Sequence, residues 1–192
     1  MPIISIPNIV KSSVLPLKWQ RTTILCKTKI PFQLNEWLFE KGSLTKRLQQ
    51  AAEKQLDVQV IFTGWQQPRY DDCQLLQLSR RPVWVRQTLL QVDGRPWILA
   101  RSVVPSETLK GRGQILKKLG NRPLGMVLYK DRHLQRGQIE IAQLNKTNPD
   151  YQLAGQMFPQ ITAHLWARRS VFLFITNHCL LVRFLPSVWQ GA

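Results

Sequence analysis

The feature that most constrains the fold is the pair of β-rich runs within residues 82–105 that flank Asp93-Gly94. Asp-Gly between alternating apolar residues is a strong signal for a tight β-hairpin, because the turn needs residues that tolerate positive φ. If Asp93-Gly94 is a two-residue turn, paired residue numbers sum to 187 and Arg86 lies opposite Arg101. This pairing is conditional, because Pro96 lacks a backbone N–H and can distort the register.

The two arginines of this hairpin alternate with Trp, Leu and Val along their strands. Like charges directly opposite each other destabilise a sheet, and a buried guanidinium needs a partner. The chain has 11 Asp and Glu against 27 Lys and Arg, so internal partners are scarce. A bound dianion would resolve the conflict, because each guanidinium can grip one carboxylate in a bidentate fork. The alternative interpretation is that this face is exposed and both arginines are solvated.

The rest of the chain alternates between helical, strand and loop patterns. Residues 33–54 have helical spacing in two pieces, because Gly42 interrupts the apolar pattern and Ser43 can cap the second helix. From Leu56 the period changes to two, which predicts a strand. Further elements are predicted as a short helix at 114–119 that ends at Gly120, strands at 138–143 and 171–185, and loops at 66–82 and 144–160. Strands in mostly sequential order with helices between them favour an α+β fold with an antiparallel sheet.

Composition indicates one globular domain with an anionic partner. The 192 residues are 44% hydrophobic, which at this length suffices for a single core without disulfides or metal. The formal net charge of +16 favours nucleic acid, a membrane surface or a small polyanion, unless the excess is only a solvated surface. Tryptophans suit base stacking, although at apolar positions they are more often core. Arg168 and Arg169 are interpreted as a surface pair, with a phosphate-binding patch as the alternative.

The cysteines and the N-terminal region argue against several classes of protein. Cys26, Cys73 and Cys179 are scattered and show no ligand spacing with the histidines, which favours a reducing compartment and no metal site. No apolar run approaches the ~18 residues of a membrane-spanning helix. Residues 1–32 are predicted to be a basic, loosely ordered leader, because the first 35 residues contain five bases and no acid.

Five motifs occur in a fixed order along the chain. They are Trp37-Leu38 with Gly42-Ser43-Leu44-Thr45-Lys46-Arg47; Val85-Arg86, Leu89-Leu90 and Asp93-Gly94-Arg95-Pro96-Trp97 with Arg101-Ser102-Val103-Val104-Pro105; Lys118-Leu119-Gly120-Asn121-Arg122-Pro123-Leu124-Gly125; Ile139-Glu140-Ile141; and Phe184-Leu185-Pro186. Together they cover about residues 33–143 and 165–186. In type and order they resemble the motifs of chorismate pyruvate-lyases, and the hairpin with both arginines is the most specific.

The resemblance implies a fold, a reaction and a set of site residues. The fold would be a single antiparallel sheet with helices packed on one side, enclosing a buried ligand pocket. The reaction would eliminate pyruvate from the dianion chorismate and leave 4-hydroxybenzoate, the head group of ubiquinone, with no metal or organic cofactor. By motif position, Arg86 would bind a carboxylate, Arg101 would be the second basic contact, and Leu44 and Leu124 would contact the ligand through backbone groups. The family acts in the cytosol, and we expect a monomer.

One position departs from the family's pattern. The family has a glutamate two residues before its Phe-Leu-Pro run, where the carboxylate meets the product's hydroxyl, and this chain has Val182 there. No Asp or Glu follows Asp150, so a small shift in alignment does not restore the glutamate. Residues 144–160 are a second departure and are interpreted as an insertion. We therefore expect a domain over residues 33–192 that is a real but slower lyase, with Val182 facing the substrate.

Two other functions stay open at this point. One is a non-catalytic, effector-type domain that binds a small anion on the same fold, because such a domain would keep the arginines and lose the glutamate. The other is a general nucleic-acid binder, which only charge and aromatic content support. We expect any nucleic-acid binding to be weak and to disappear near physiological salt.

Overall fold

The computed structural model describes residues 17–22, 30–53, 55–129, 133–158, 165–174 and 177–186, and for Arg112, Phe174 and residues 177–186 it describes the backbone alone. The strands are β1 Gln20–Arg21, β2 Leu56–Gln66, β3 Val83–Val92, β4 Arg95–Val104, β5 Leu134–Arg136, β6 Glu140–Leu144, β7 Leu165–Phe174 and β8 Asn177–Pro186. The helices are α1 Phe32–Leu38, α2 Leu44–Ala51, α3 Tyr70–Leu76, α4 Leu124–Leu128 and α5 Pro149–Met157, with 3-10 helices at Glu107–Leu109 and Gly111–Leu116.

All of the strands join one antiparallel sheet. Its order is β1-β6-β7-β8-β4-β3-β2, and β5 pairs with the far end of β7. The three central pairings are made by two hairpins, β3–β4 and β7–β8, which meet where β4 pairs with β8. The predicted α+β fold with an antiparallel sheet is confirmed.

The predicted hairpin is present, but its register is not the expected one. Asp93 and Gly94 have φ of 50° and 78°, as a tight turn requires. Beyond the turn the register shifts between Leu90 and Gln91, which leaves Trp97 unpaired next to Pro96. Residue numbers on the far side of this bulge therefore sum to 188. A slip of one residue moves every side chain to the other face of a strand.

The expected pairing of Arg86 with Arg101 is therefore wrong. Arg86 lies opposite Ser102, and Arg101 lies opposite Gln87. Because directly opposite residues share a face, the two arginines lie on opposite faces of the sheet. We refer to these as the Arg86 face, which also carries Thr88, Leu90, Ala100 and Ser102, and the Arg101 face, which also carries Val85, Leu89, Leu99 and Val103.

Helices cover both faces of the sheet. Helices α1 and α2 pack on the Arg86 face through Leu34, Leu38 and Leu48, in a cluster that includes Leu90 and Ala100. Helix α4 packs beside them in a second cluster. Helices α3 and α5 belong to the cluster on the Arg101 face. The prediction of helices on one side holds for α1, α2 and α4, and the other two helices form within segments predicted as loops.

Local signals explain where these helices begin. The Ser43 hydroxyl accepts a hydrogen bond from Lys46 N at 3.2 Å, which confirms the predicted cap of α2. Helix α5 begins at Pro149 after Asn148, whose side chain accepts from Asp150 N. An asparagine cap followed by proline at the first helical position is a strong start signal, so 149–157 is helical rather than loop.

The N-terminal region is partly built into the sheet. Gln20 and Arg21 pair with Ile141 and Glu140 of β6. Residues 1–16 and 23–29 of the predicted leader lie outside the described residues. In the described part of the chain, no helix is long and apolar enough to cross a membrane.

Candidate active site

The Arg86 side chain lies at the centre of the candidate site. It extends from β3, and its Nη2 donates to two main-chain carbonyls, Gly120 O at 2.8 Å and Arg122 O at 3.0 Å. These carbonyls belong to the turn that precedes α4. Gly120 has φ of +53°, a left-handed conformation that favours glycine. The turn and the arginine therefore hold each other in place.

The charge of Arg86 is buried without an acidic neighbour. The residue is 6% exposed, and no ion pair involving it occurs among the residues that the structure describes. Burial lowers the pKa of Arg86 to about 10, so the group stays charged at neutral pH. A buried cation held only by neutral carbonyls is an environment that a carboxylate ligand would complete.

A small cavity opens beside this guanidinium, and we name it the Arg86 cavity. Its floor is formed by residues of the sheet, and its cover is formed by the starts of α2 and α4. The lining residues are Thr45, Val58, Arg86, Thr88, Leu90, Ala100, Ser102, Pro123 and Leu124. Leu124, predicted from the resemblance, lines the cavity, whereas Leu44 is the buried residue directly before Thr45 at the start of α2.

Arg101, the other predicted arginine, lies away from this cavity. On the Arg101 face its Nη1 and Nη2 donate to the two carboxylate oxygens of Asp72 at 2.9 and 2.7 Å. Arg101 is 2% exposed and Asp72 is 1% exposed. Burial raises the pKa of Asp72, but the charge and hydrogen bonds of Arg101, together with Arg69, outweigh burial and hold that pKa below its ordinary value. The structure does not bring Arg101 together with Arg86.

The strand register places Val182 directly opposite Arg101, and not opposite Arg86. It pairs with Arg101 of β4 on one side and with Arg169 of β7 on the other. Its side chain lies outside the part of the chain that the structure describes. Contact of Val182 and of Arg101 with substrate therefore stays a prediction, and the register does not support it.

Arg168 and Arg169 are buried, so their interpretation as a surface pair is wrong. Arg168 donates to Trp37 O at 2.7 Å and Glu40 O at 2.8 Å, at the end of α1. Arg169 points to the other face, where its Nε donates to Glu140 at 2.8 Å. Arg168 therefore connects the sheet to the end of α1, whereas the bond of Arg169 to Glu140 joins two adjacent strands, β7 and β6. The ion pair of Arg69 with Asp150 joins the starts of α3 and α5.

Three hydroxyl groups of the cavity did not emerge from the sequence, namely those of Thr45, Thr88 and Ser102. Thr88 has the same parity as Arg86 on β3, so strand alternation could have identified it. Ser102 could not be placed, because the bulge at Trp97 reverses the faces expected for β4. Among the described residues, no group of three His, Cys, Asp or Glu side chains is arranged to hold a metal ion.

Comparisons with known proteins agree with the motifs. The family model described as chorismate lyase matches residues 15–192. A probable chorismate pyruvate-lyase of Pseudomonas aeruginosa (strain UCBPP-PA14) is 38% identical over 159 residues, 82% of this chain and 85% of that protein. One of Methylococcus capsulatus is 38% identical over 157 residues, 81% of this chain and 96% of that protein.

Solved structures share the fold at low identity. The C-terminal domain of PhnF has a TM-score of 0.54 at 15% identity and covers 72% of this chain and 86% of that one. The C-terminal domain of the histidine utilization repressor from Pseudomonas syringae has a TM-score of 0.54 at 10% identity and covers 72% of this chain and 98% of that one. These likenesses concern the fold alone. The family model and the curated relatives show that the chain belongs to the chorismate lyase family.

Proposed function

We propose that this chain, a lyase by its family, eliminates pyruvate from chorismate and leaves 4-hydroxybenzoate. Two relatives that match more than four-fifths of the chain are called probable chorismate pyruvate-lyases. The observation that carries the proposal to this molecule is the buried guanidinium of Arg86, which lines a cavity and lacks an acidic partner among the described residues. Chorismate is a dianion, so one of its carboxylates supplies the missing negative charge.

The proposed reaction balances without an oxidant or a reductant. The ether bond between the ring and the enolpyruvyl oxygen breaks, and the ring carbon that bears the hydroxyl loses its hydrogen as a proton. The ring becomes aromatic, which drives the reaction, and the released enolpyruvate takes up a proton to become pyruvate. The protein's task is to hold the dianion in a reactive shape and to stabilise the charge that moves to the leaving oxygen.

Three of the site residues predicted from the sequence have a defined part in this proposal, and a fourth, Val182, has none. Arg86 holds a carboxylate, and the two carbonyls that accept from its Nη2 fix the orientation of the guanidinium. Backbone groups at Leu44 and Leu124 touch the ligand, as the resemblance implies. Val182 carries no proton donor or acceptor, so a step that uses a glutamate elsewhere in the family runs here without it. We therefore propose a slower lyase, by up to about 10²–10⁴-fold if that glutamate is a general acid.

The test is to incubate purified protein with chorismate and to measure pyruvate and 4-hydroxybenzoate separately. Equal amounts of both products, formed faster than in buffer and much more slowly with Arg86→Ala, would support the proposal. If residue 182 faces the substrate, as the resemblance implies, Val182→Glu should speed turnover or tighten 4-hydroxybenzoate binding, whereas its register opposite Arg101 predicts no gain. A wild-type protein that binds chorismate and releases no pyruvate would overturn it and favour the non-catalytic anion-binding domain.

The cellular role follows from the product. We propose that the protein acts as a monomer in the cytoplasm, where its 4-hydroxybenzoate becomes the head group of ubiquinone. Restoration of ubiquinone in a bacterial strain without its own chorismate lyase tests the role, and sedimentation tests the monomer. The +16 charge then steers small anions to the cavity, an effect that weakens with salt. Tight binding of DNA or RNA at ~0.15 M salt would instead favour the nucleic-acid binder.

A further inference from the structure

Two side-chain hydroxyls on the floor of the Arg86 cavity lack a hydrogen-bond partner among the residues that the structure describes. Thr88 and Ser102 both line the cavity and are each 3% exposed. The structure gives neither hydroxyl a hydrogen bond with any residue that it describes. A hydroxyl that lines a cavity and has no hydrogen bond to the described protein atoms is suited to a polar ligand group, because it can donate and accept.

Their position relative to Arg86 indicates which ligand group they meet. Ser102 lies directly opposite Arg86 in the register, and Thr88 is two residues further along β3 on the same face. Both hydroxyls therefore lie near the base of the arginine side chain. The guanidinium lies at the other end, under the turn that carries Gly120 O and Arg122 O. A ring whose carboxylate meets the guanidinium thus has its opposite end toward the sheet.

The residue opposite Thr88 adds little bulk to the floor of the cavity. Ala100 pairs with Thr88, lies two residues before Ser102 on β4 and lines the cavity with only a methyl group. In chorismate and in 4-hydroxybenzoate, the group para to the ring carboxylate is a hydroxyl. Serine and threonine hydroxyls both donate and accept hydrogen bonds, so they can pair with a hydroxyl in either direction.

We propose that Ser102 and Thr88 bind the ring hydroxyl of substrate and product and make the cavity selective for a para-hydroxylated ring carboxylate. This inference rests on the proposed function, because it assumes that Arg86 holds the ring carboxylate. It assigns the hydroxyl contact to the floor of the sheet, in a chain that has Val182 in place of the family's glutamate. The two residues are specificity determinants that touch the ligand.

The experiment compares two ligands that differ only in the hydroxyl. Calorimetry with benzoate and 4-hydroxybenzoate gives an affinity ratio for the wild type and for Ser102→Ala, Thr88→Val and the double variant. The wild type should prefer 4-hydroxybenzoate by roughly tenfold, the value of a well-formed hydrogen bond. The ratio should approach one in the double variant, while benzoate affinity stays within about twofold. Ser102→Thr keeps a hydroxyl and should keep the preference.

A matched control and a separate readout keep the outcomes distinct. Thr63→Val removes a hydroxyl from β2 at an exposed position next to Arg86 in the register, and its ratio should equal the wild-type ratio. If the double variant binds benzoate normally and still prefers 4-hydroxybenzoate tenfold, the inference is wrong, and the proposed lyase function is unaffected. If the wild type releases no pyruvate from chorismate, or Arg86→Ala leaves benzoate affinity unchanged, the proposed function fails first.

Discussion

Arg86 and Arg101 lie on neighbouring strands of one hairpin, yet the two faces of the sheet treat them differently. Arg101 is neutralised inside the fold by both oxygens of Asp72. Arg86 is almost as deeply buried, and among the described residues only the carbonyls of Gly120 and Arg122 accept from its guanidinium. The Arg101 face therefore completes its charge balance during folding, whereas the Arg86 face leaves a positive charge for a ligand to balance.

The difference shows how burial of the same residue type can serve structure or binding. Removing one partner of a buried ion pair leaves an uncompensated charge, so Asp72 and Arg101 are needed for stability. A buried cation without an anion lowers stability until a ligand binds, so Arg86 is expected to matter for affinity more than for folding. Which arginine has which role depends on a one-residue bulge at Trp97.

The strongest test of this comparison is Asp72→Asn. The substitution leaves Arg101 buried without a counter-charge and should lower the free energy of unfolding by about 3–5 kcal/mol. Urea unfolding measures the loss, and Glu53→Gln at an exposed position is the control, with a change within about 0.5 kcal/mol. A similar, small change in both variants would contradict a structural role for the Asp72–Arg101 pair.

Arg86→Ala should show the opposite pattern. Binding of chorismate should weaken by about 2–5 kcal/mol, because a carboxylate in the cavity loses its charged partner. Stability without ligand should change much less than in Asp72→Asn, because no buried anion is left alone. Calorimetry with chorismate and urea unfolding give the two values, with Arg95→Ala at an exposed hairpin position as control. Full affinity in Arg86→Ala would remove the reason to place the ligand on this face.

The pH dependence of stability should also separate the two faces. Burial raises the folded-state pKa of Asp72, but Arg101 and Arg69 together lower it below its ordinary value. A carboxyl with a lowered folded-state pKa contributes stability above its unfolded pKa of about 4, and that contribution is lost as the pH falls through the folded-state value. The stability difference between wild type and Asp72→Asn should therefore be constant above about pH 5 and shrink in acid.

The contribution of Arg86 to stability should not change with pH in that range. The pKa of Arg86 is lowered by burial only to about 10, so its charge is the same from neutral pH down to acid. The stability difference between wild type and Arg86→Met should stay flat where that of Asp72→Asn changes. Equal pH profiles for the two variants would show that the faces are not distinct in their charge balance.

The sheet was predictable, while the faces of its strands were not. The alternation of apolar and polar residues and the Asp93-Gly94 turn were sufficient to predict β2, β3 and β4, because those signals are local. The bulge beside Pro96 leaves Trp97 unpaired in the β3–β4 ladder, with its ring against Trp37 of α1, and local alternation does not reveal a contact so distant in sequence. Because a one-residue slip exchanges the faces, the prediction placed Arg101 beside Arg86.

The buried arginines outside the hairpin were missed for a related reason. Charged residues in a strand are usually at the surface, so Arg168 and Arg169 looked exposed. Their partners are distant in sequence, at Trp37 and Glu40 for Arg168 and at Glu140 for Arg169. Such contacts form only once the elements pack. The start of α5, in contrast, had a local signal in Asn148-Pro149 that favours a helix over the predicted loop.

The smallest expected effect concerns the turn that holds Arg86, and a pair of glycines isolates it. Gly120 and Gly94 have φ of +53° and +78°, and an added Cβ would meet nothing within 4 Å at either position. Alanine at each should therefore cost a similar ~1 kcal/mol of backbone strain. Only Gly120 O accepts from Arg86, so Gly120→Ala alone should also weaken benzoate binding, by a few-fold, as the carbonyl shifts. Urea unfolding and calorimetry on both variants measure the two effects. If Gly94→Ala weakens binding as much, the turn does not set the position of the guanidinium, and the Arg86 face owes its affinity to charge alone.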